Sequence, residues 1–192
     1  MNMIKVRMRD PKTKAKQLRR SGAVPCCVYG GSLQDSLPIQ MDQQNATQLL
    51  REKRNGSKVQ LNLDGQLIPV QIKEKTRNFS NGKVEHISFQ ALQADQQVNS
   101  VAHIILKNTD TVPGVLEKLL FEVPFTSLPK DMIDTVTVDL EGLPTGTVLT
   151  LRDIPEFMCE QVQLRVPADT IVLRVNDKKR AASQWADPSK PV

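Results

Sequence analysis

The chain has 192 residues, 39% of them apolar, and 26 Lys/Arg against 21 Asp/Glu give it a net charge of +5. That length holds one large or two small domains. No run approaches the ~20 apolar residues that cross a bilayer, and the N-terminus alternates charged with apolar residues, which predicts no signal peptide. Cys26, Cys27 and Cys159 form no C-x-x-C pair, which argues against a disulfide framework or a zinc site and for buried thiols in a reducing cytosol.

The charge is divided along the chain. Residues 1–91 carry sixteen Lys/Arg and seven Asp/Glu, a net +9, and residues 92–192 carry ten and fourteen, a net −4. A basic half attracts phosphate and an acidic half avoids it, so the division implies a two-part protein with one nucleic-acid-binding half. With aromatic residues at 4%, stacking platforms for single strands are scarce. The basic surface is expected to grip a folded duplex by backbone and groove shape.

In chain order, Ile4–Arg9 alternates strictly and predicts a strand with Ile4, Val6 and Met8 toward the core and Lys5, Arg7 and Arg9 outward. An outward face of one sign points to binding. Pro11 ends the strand. Lys12–Ser21, closed by Gly22, reads either as a short helix or as a basic loop that becomes helical on RNA, because Leu18 is its only large apolar residue. Val24–Tyr29 and Leu37–Met41 predict strands. Asp42 is placed to cap a helix from Gln43 to about Lys53, with Ala46, Leu49 and Leu50 on its apolar face.

Val59, Leu61 and Leu63 alternate before Asp64-Gly65, and Ile68, Val70 and Ile72 alternate after it, the pattern of a type I′ hairpin. Residues 77–83 form a polar loop. Val84–Ala91 predicts a strand with Ile87 and Phe89 on one face and His86 and Ser88 on the other. The polar stretch 93–97 is the expected domain boundary. Beyond it lie short β-type runs at 101–106, 119–127, 135–140, 148–151 and 170–175, broken by Pro and Gly, which predict a small all-β domain. The expected division is a basic domain at 1–92, an acidic β-rich domain at 98–175 and a charged mobile tail at 176–192.

No phosphate loop, dinucleotide fingerprint, nucleophile elbow or zinc-protease motif occurs, so no catalytic constellation and no cofactor are expected. His103 sits in an apolar run and reads as a packed histidine. Asp131, Asp134, Asp139 and Glu141 are near in sequence but would scatter over strand and loop as solvated acidic surface. A small-molecule substrate and a membrane partner are not expected.

The order of several short segments carries a resemblance. Lys5-Val6-Arg7, Lys16–Gly22, Val24-Pro25, Val28-Tyr29-Gly30-Gly31 and Val84–Phe89 are followed by Gly114-Val115-Leu116, Val123-Pro124-Phe125, Leu128–Asp131, Val136–Leu140 and Gly142-Leu143. Over residues 4 to about 175 the chain resembles the bacterial large-subunit ribosomal protein L-twenty-five family, in its long two-domain form, the general stress protein Ctc. The resemblance implies a mainly β (α+β) fold: an N-terminal β-barrel with flanking helices that binds 5S rRNA, and a C-terminal β-rich domain. It implies a structural, non-enzymatic role in the large ribosomal subunit beside neighbouring ribosomal proteins, in the cytoplasm. A stress-related, ribosome-associated adaptor or chaperone-like protein is the alternative.

By the same resemblance, the RNA-binding residues are Arg7, Lys12, Lys16, Arg19, Tyr29, Arg77, His86 and Ser88. Tyr29 reads equally as a cap on the barrel core. The family commonly has His-x-Asp-Phe where this chain has His86-Ile87-Ser88-Phe89, so serine replaces a carboxylate able to accept from a base amino group. Lys16-Gln17 stands where two arginines are frequent, which weakens bidentate phosphate gripping.

Overall fold

The computed structural model describes residues 3–177; the tail expected at 176–192 lies, from residue 178 onward, outside the described residues. The chain divides into two units, Met1–Val101 with Ser127–Asp134 and Ala102–Thr126 with Thr135–Val192.

Six strands close the first unit into a barrel: β1 (Met3–Met8), β2 (Ala23–Tyr29), β3 (Leu37–Asp42), β4 (Lys58–Leu63), β5 (Gln66–Arg77) and β6 (Val84–Ala91), in the order β1-β3-β2-β6-β5-β4. Two of the pairings that close it, β1 with β4 and β2 with β6, are parallel, and the others are antiparallel. The period-two alternation of each strand sends one face inward. Val6, Val24, Val28, Ile39, Leu61, Val70, Ile72, Ile87 and Phe89 are buried there, and Ala46, Leu49 and Leu50 of helix α2 (Gln43–Glu52) join the same core.

The Asp64-Gly65 turn has positive φ at both residues, 50° and 98°, as type I′ requires, and this sets the β4–β5 register with Leu63 opposite Gln66. Helix α1 (Ala15–Arg20) is formed, packs against β2, and buries only Leu18. Gly22, at φ 83°, follows its end and donates its N–H to the carbonyl of Arg19.

Three expectations need correction. Met8 keeps inward parity opposite Ile39, but it is the last residue of β1, past the packed core, and is 47% exposed. Asp42 stands at the N-cap of α2 but makes no capping bond with its side chain. It is also the last residue of β3, paired with Ala23, and the N–H of Gln43 is taken by the carbonyl of Gly22 instead. Of the three thiols only Cys26 is buried; Cys27 is half-buried on the outer face of β2, and Cys159 is exposed.

The second unit carries a four-stranded sheet, β10-β7-β9-β12, and a three-stranded one, β11-β13-β8. Their strands are β7 (Val98–Lys107), β8 (Val115–Lys118), β9 (Glu122–Ser127), β10 (Thr135–Asp139), β11 (Val148–Thr150), β12 (Gln163–Leu164) and β13 (Ile171–Asn176). Single 3-10 turns at 109–111, 151–153 and 155–157 are its only helical segments among the described residues. Leu140, Leu173 and Val175 centre one core cluster. β8 and β12 carry no sequence signal: Val115–Lys118 alternates over only four residues, and β12 has two.

Asp131 and Asp134 fall in the first unit, and Asp139 and Glu141 in the second. Asp134 pairs with Lys53 at 3.6 Å and Asp139 accepts from Asn108 at 2.7 Å. His103 is buried and lies 3.4 Å from the Glu122 carboxylate.

Candidate nucleic-acid interface

Strand parity turns one face outward across β1, β3, β2, β6 and β5, exposed only in part, since Pro25 on it is buried. The registers give its rungs. Arg7 stands opposite Gln40, which stands opposite Pro25. On the next outward rung, Pro38 pairs with Cys27, Cys27 with Ser88, and Ser88 with Glu74. The N–H of Arg9 donates to the carbonyl of Pro38 at 3.1 Å, so Arg9 closes that rung on the β1 side.

Helix α1 lies beside this surface and delivers Arg19. Its Nε donates to the carbonyl of Glu85 at 3.0 Å, next to His86. The Ser88 hydroxyl is 3.5 Å from Nδ1 of His86 and 3.6 Å from the Cys27 thiol, which donates to it. The side chain of Arg9 is half-buried: Nη2 donates to the carbonyl of Thr13 at 2.9 Å, while the buried Nε makes no hydrogen bond.

The electrostatics follow from this convergence. Partial burial holds the His86 imidazole below its ordinary pKa, Arg19 and Arg9 push it further down, and Glu74 works against them. The ring is therefore neutral at pH 7, with one nitrogen free to donate or accept according to tautomer. Tyr29 lies two residues beyond Cys27 on the same face, opposite Gln90, and is 36% exposed. Burial, then Cys27 and Glu74, raise its hydroxyl pKa, so it stays a neutral donor.

The fold thus brings together four of the eight expected residues, Arg19, Tyr29, His86 and Ser88. Arg7 is on the same outer surface, but β3 and β2 lie between it and His86, a separation of roughly 14 Å at the usual strand spacing. Lys12 occupies a turn begun by Asp10, whose carboxylate accepts its N–H at 2.9 Å, and Lys16 projects into solvent from α1. Neither touches the cluster. Arg77, expected in the loop, is exposed and is instead the last residue of β5, opposite Val84, so the loop begins one residue later, at Asn78.

Two members escaped the sequence-based selection. Arg9 has the outward parity of Lys5 and Arg7, and that signal was present. Glu74 had no signal. Simple alternation from Val70 and Ile72 would turn it inward, but the register shifts between Ile72 and Glu74, and this bulge places it outward, opposite Ser88.

A basic β-barrel with one outer face rich in cations and hydrogen-bonding groups, followed by a second β unit, defines a class of small two-part β proteins. Comparison with known proteins narrows the class. Residues 4–89 match the Ribosomal L25p family, and residues 97–179 match the C-terminal domain of ribosomal protein TL5. The chain is 28% identical over 156 residues to the large ribosomal subunit protein bL25 of Nitrosomonas europaea, covering 78% of this chain and 77% of that one. It is also 28% identical over 178 residues to the bL25 of Akkermansia muciniphila, covering 91% and 87%. With the bL25 of Caldicellulosiruptor bescii the identity is 26% over 164 residues, covering 84% and 80%. The chain belongs to the Ribosomal L25p family, in its long two-domain form.

Proposed function

We propose that this protein is a structural, non-catalytic constituent of the large ribosomal subunit in the cytoplasm, and that it binds 5S rRNA through the outer face of its barrel. Family membership supports the ribosomal role. The observation that carries the RNA reading is the convergence of Arg9 and Arg19, from two different elements, on a neutral His86 flanked by Ser88 and Tyr29. Two guanidinium groups beside the single carboxylate of Glu74 leave this face net positive, and RNA phosphate would answer the remaining charge.

In this reading Arg7 and Arg19 hold phosphates, with Lys12, Lys16 and Arg77 adding charge at the margins. Tyr29, His86 and Ser88 provide hydrogen bonds to sugar or base edges. The acidic β-rich domain, residues 98–175, takes no part in the RNA contact. The boundary of the RNA-binding domain is placed at residue 92.

Replacing Arg7 or Arg19 with alanine is expected to weaken 5S rRNA binding and to flatten its salt dependence. Each lost phosphate contact should reduce the log–log slope by roughly one, taking the duplex-DNA relation as a guide. Filter binding over a salt series measures this, and wild-type slopes in both variants would remove these arginines from the interface. Co-sedimentation with 50S subunits separates the ribosomal reading from that of a stress-related adaptor.

A further inference from the structure

Phe79 is the most exposed large apolar side chain among the described residues, at 106% relative exposure. A single apolar residue in solvent is common on protein surfaces. Its setting sets this one apart. The loop that carries it is held by its own hydrogen bonds. The N–H of Asn78 donates to Lys83 O and the N–H of Gly82 to Asn78 O, both at 2.8 Å. The Asn78 amide accepts from the N–H of Ser80 and donates to the Glu85 carboxylate, both at 2.9 Å. The ring is therefore presented to solvent by an ordered turn, so holding it there on binding costs little further entropy.

The loop also adjoins the interface. Thr76 stands opposite His86 in the barrel register, and Phe79 follows three residues later. From Lys75 to Lys83 the segment holds three cations and no acid. Arg77 and Lys83, both exposed, flank the ring on either side in sequence. A planar apolar ring between cations suits an unpaired nucleobase, whose face stacks on the ring while its flanking phosphates meet the charges.

We infer that Phe79, at the tip of the β5–β6 hairpin, stacks on an unpaired base of the RNA gripped by the adjoining barrel face. The inference rests on the RNA-binding reading above and extends it to a second kind of contact, one that salt does not screen. Because the ring packs against nothing in the fold, its replacement leaves the barrel intact.

The full chain is tested against 5S rRNA at several salt concentrations, with Phe79→Ala, Phe79→Leu and Phe79→Trp beside the wild type. Alanine is expected to weaken binding about tenfold, from the usual contribution of one stacked base. Leucine should lose nearly as much, since it keeps the apolar surface but not the π-face, and tryptophan should retain affinity. All three should keep the wild-type salt slope, because no phosphate contact is removed. The chain has one tryptophan, Trp185, so Phe79→Trp in a Trp185→Phe background gives a single reporter, whose emission should be quenched on RNA binding. Wild-type affinity in Phe79→Ala while the wild type binds normally overturns the inference and leaves the RNA reading standing. Unchanged RNA affinity with reduced retention on 50S subunits assigns the ring to a protein neighbour and also overturns it. Absence of wild-type binding removes the RNA reading and this inference with it.

Discussion

His86 lies half-buried, with two arginines near enough to hold its pKa below the ordinary value. The sign of the linkage is then determined. Folding favours the neutral ring, so the contribution to stability is present above about pH 6.5 and is lost as pH falls through the lower, folded-state value. In the proposed RNA complex a phosphate beside the ring would reverse the field and favour its proton. We expect His86 to titrate below 6.5 in the free protein and higher in the complex, with affinity rising as pH falls from 7 toward that range. NMR titration of the two histidines, assigned with a His86→Asn variant, reads this directly. An unmoved pKa would place no phosphate near the ring. Cys26, buried in the barrel core, shows the opposite use of burial: desolvation pushes its thiol up to about 12, which leaves it inert as a core residue.

At the scale of the element, the bulge in β5 matters most. It turns Glu74 outward and opposes it to Ser88 across the β5–β6 ladder. A carboxylate thereby reaches a face that is otherwise cationic, on the strand adjoining the one where the family commonly carries its own. Putting the family residue back would set two like charges directly opposite each other. Ser88→Asp is expected to cost stability by ~0.2–1 kcal/mol more in the presence of Glu74 than in a Glu74→Gln background. Urea unfolding of the four proteins in the cycle measures the coupling, and a coupling of zero would mean that the two side chains do not face one another.

The first unit does not end where the barrel strands end. Gln71 is fully buried, and its amide donates to Gln90 and to the carbonyl of Asn99, at 2.9 and 3.0 Å. The Ser100 hydroxyl donates to Gly56 O at 3.1 Å. Gly56 has φ 85°, and a Cβ there would meet Val101 O at 2.5 Å, so this glycine lets the start of β7 approach. A fragment of residues 1–101 is therefore expected to melt higher than one of residues 1–91, by ~5 °C or more, since two or three buried hydrogen bonds are lost in the shorter piece. Both should bind 5S rRNA, given the net +9 of residues 1–91, and residues 92–192 should not. Equal melting temperatures would show that residues 98–101 add nothing to the barrel.

Much of this was legible in the chain because it depends on neighbours in sequence. Alternation over Ile4–Arg9 and Val84–Ala91 set which residues face inward, since a strand's period is two whatever it pairs with. Asp64-Gly65 set a hairpin, since positive φ at two successive residues suits few other turns. The division of charge needed only counting. The tertiary structure decided what depends on pairing between distant segments: the parallel closures of β1 with β4 and β2 with β6, the outward turn of Glu74 by a bulge that no residue type announces, and the meeting of Arg9, Arg19 and His86 from three separate elements. Long-range register is set by how whole strands bury their faces against one another, and no local pattern carries that information.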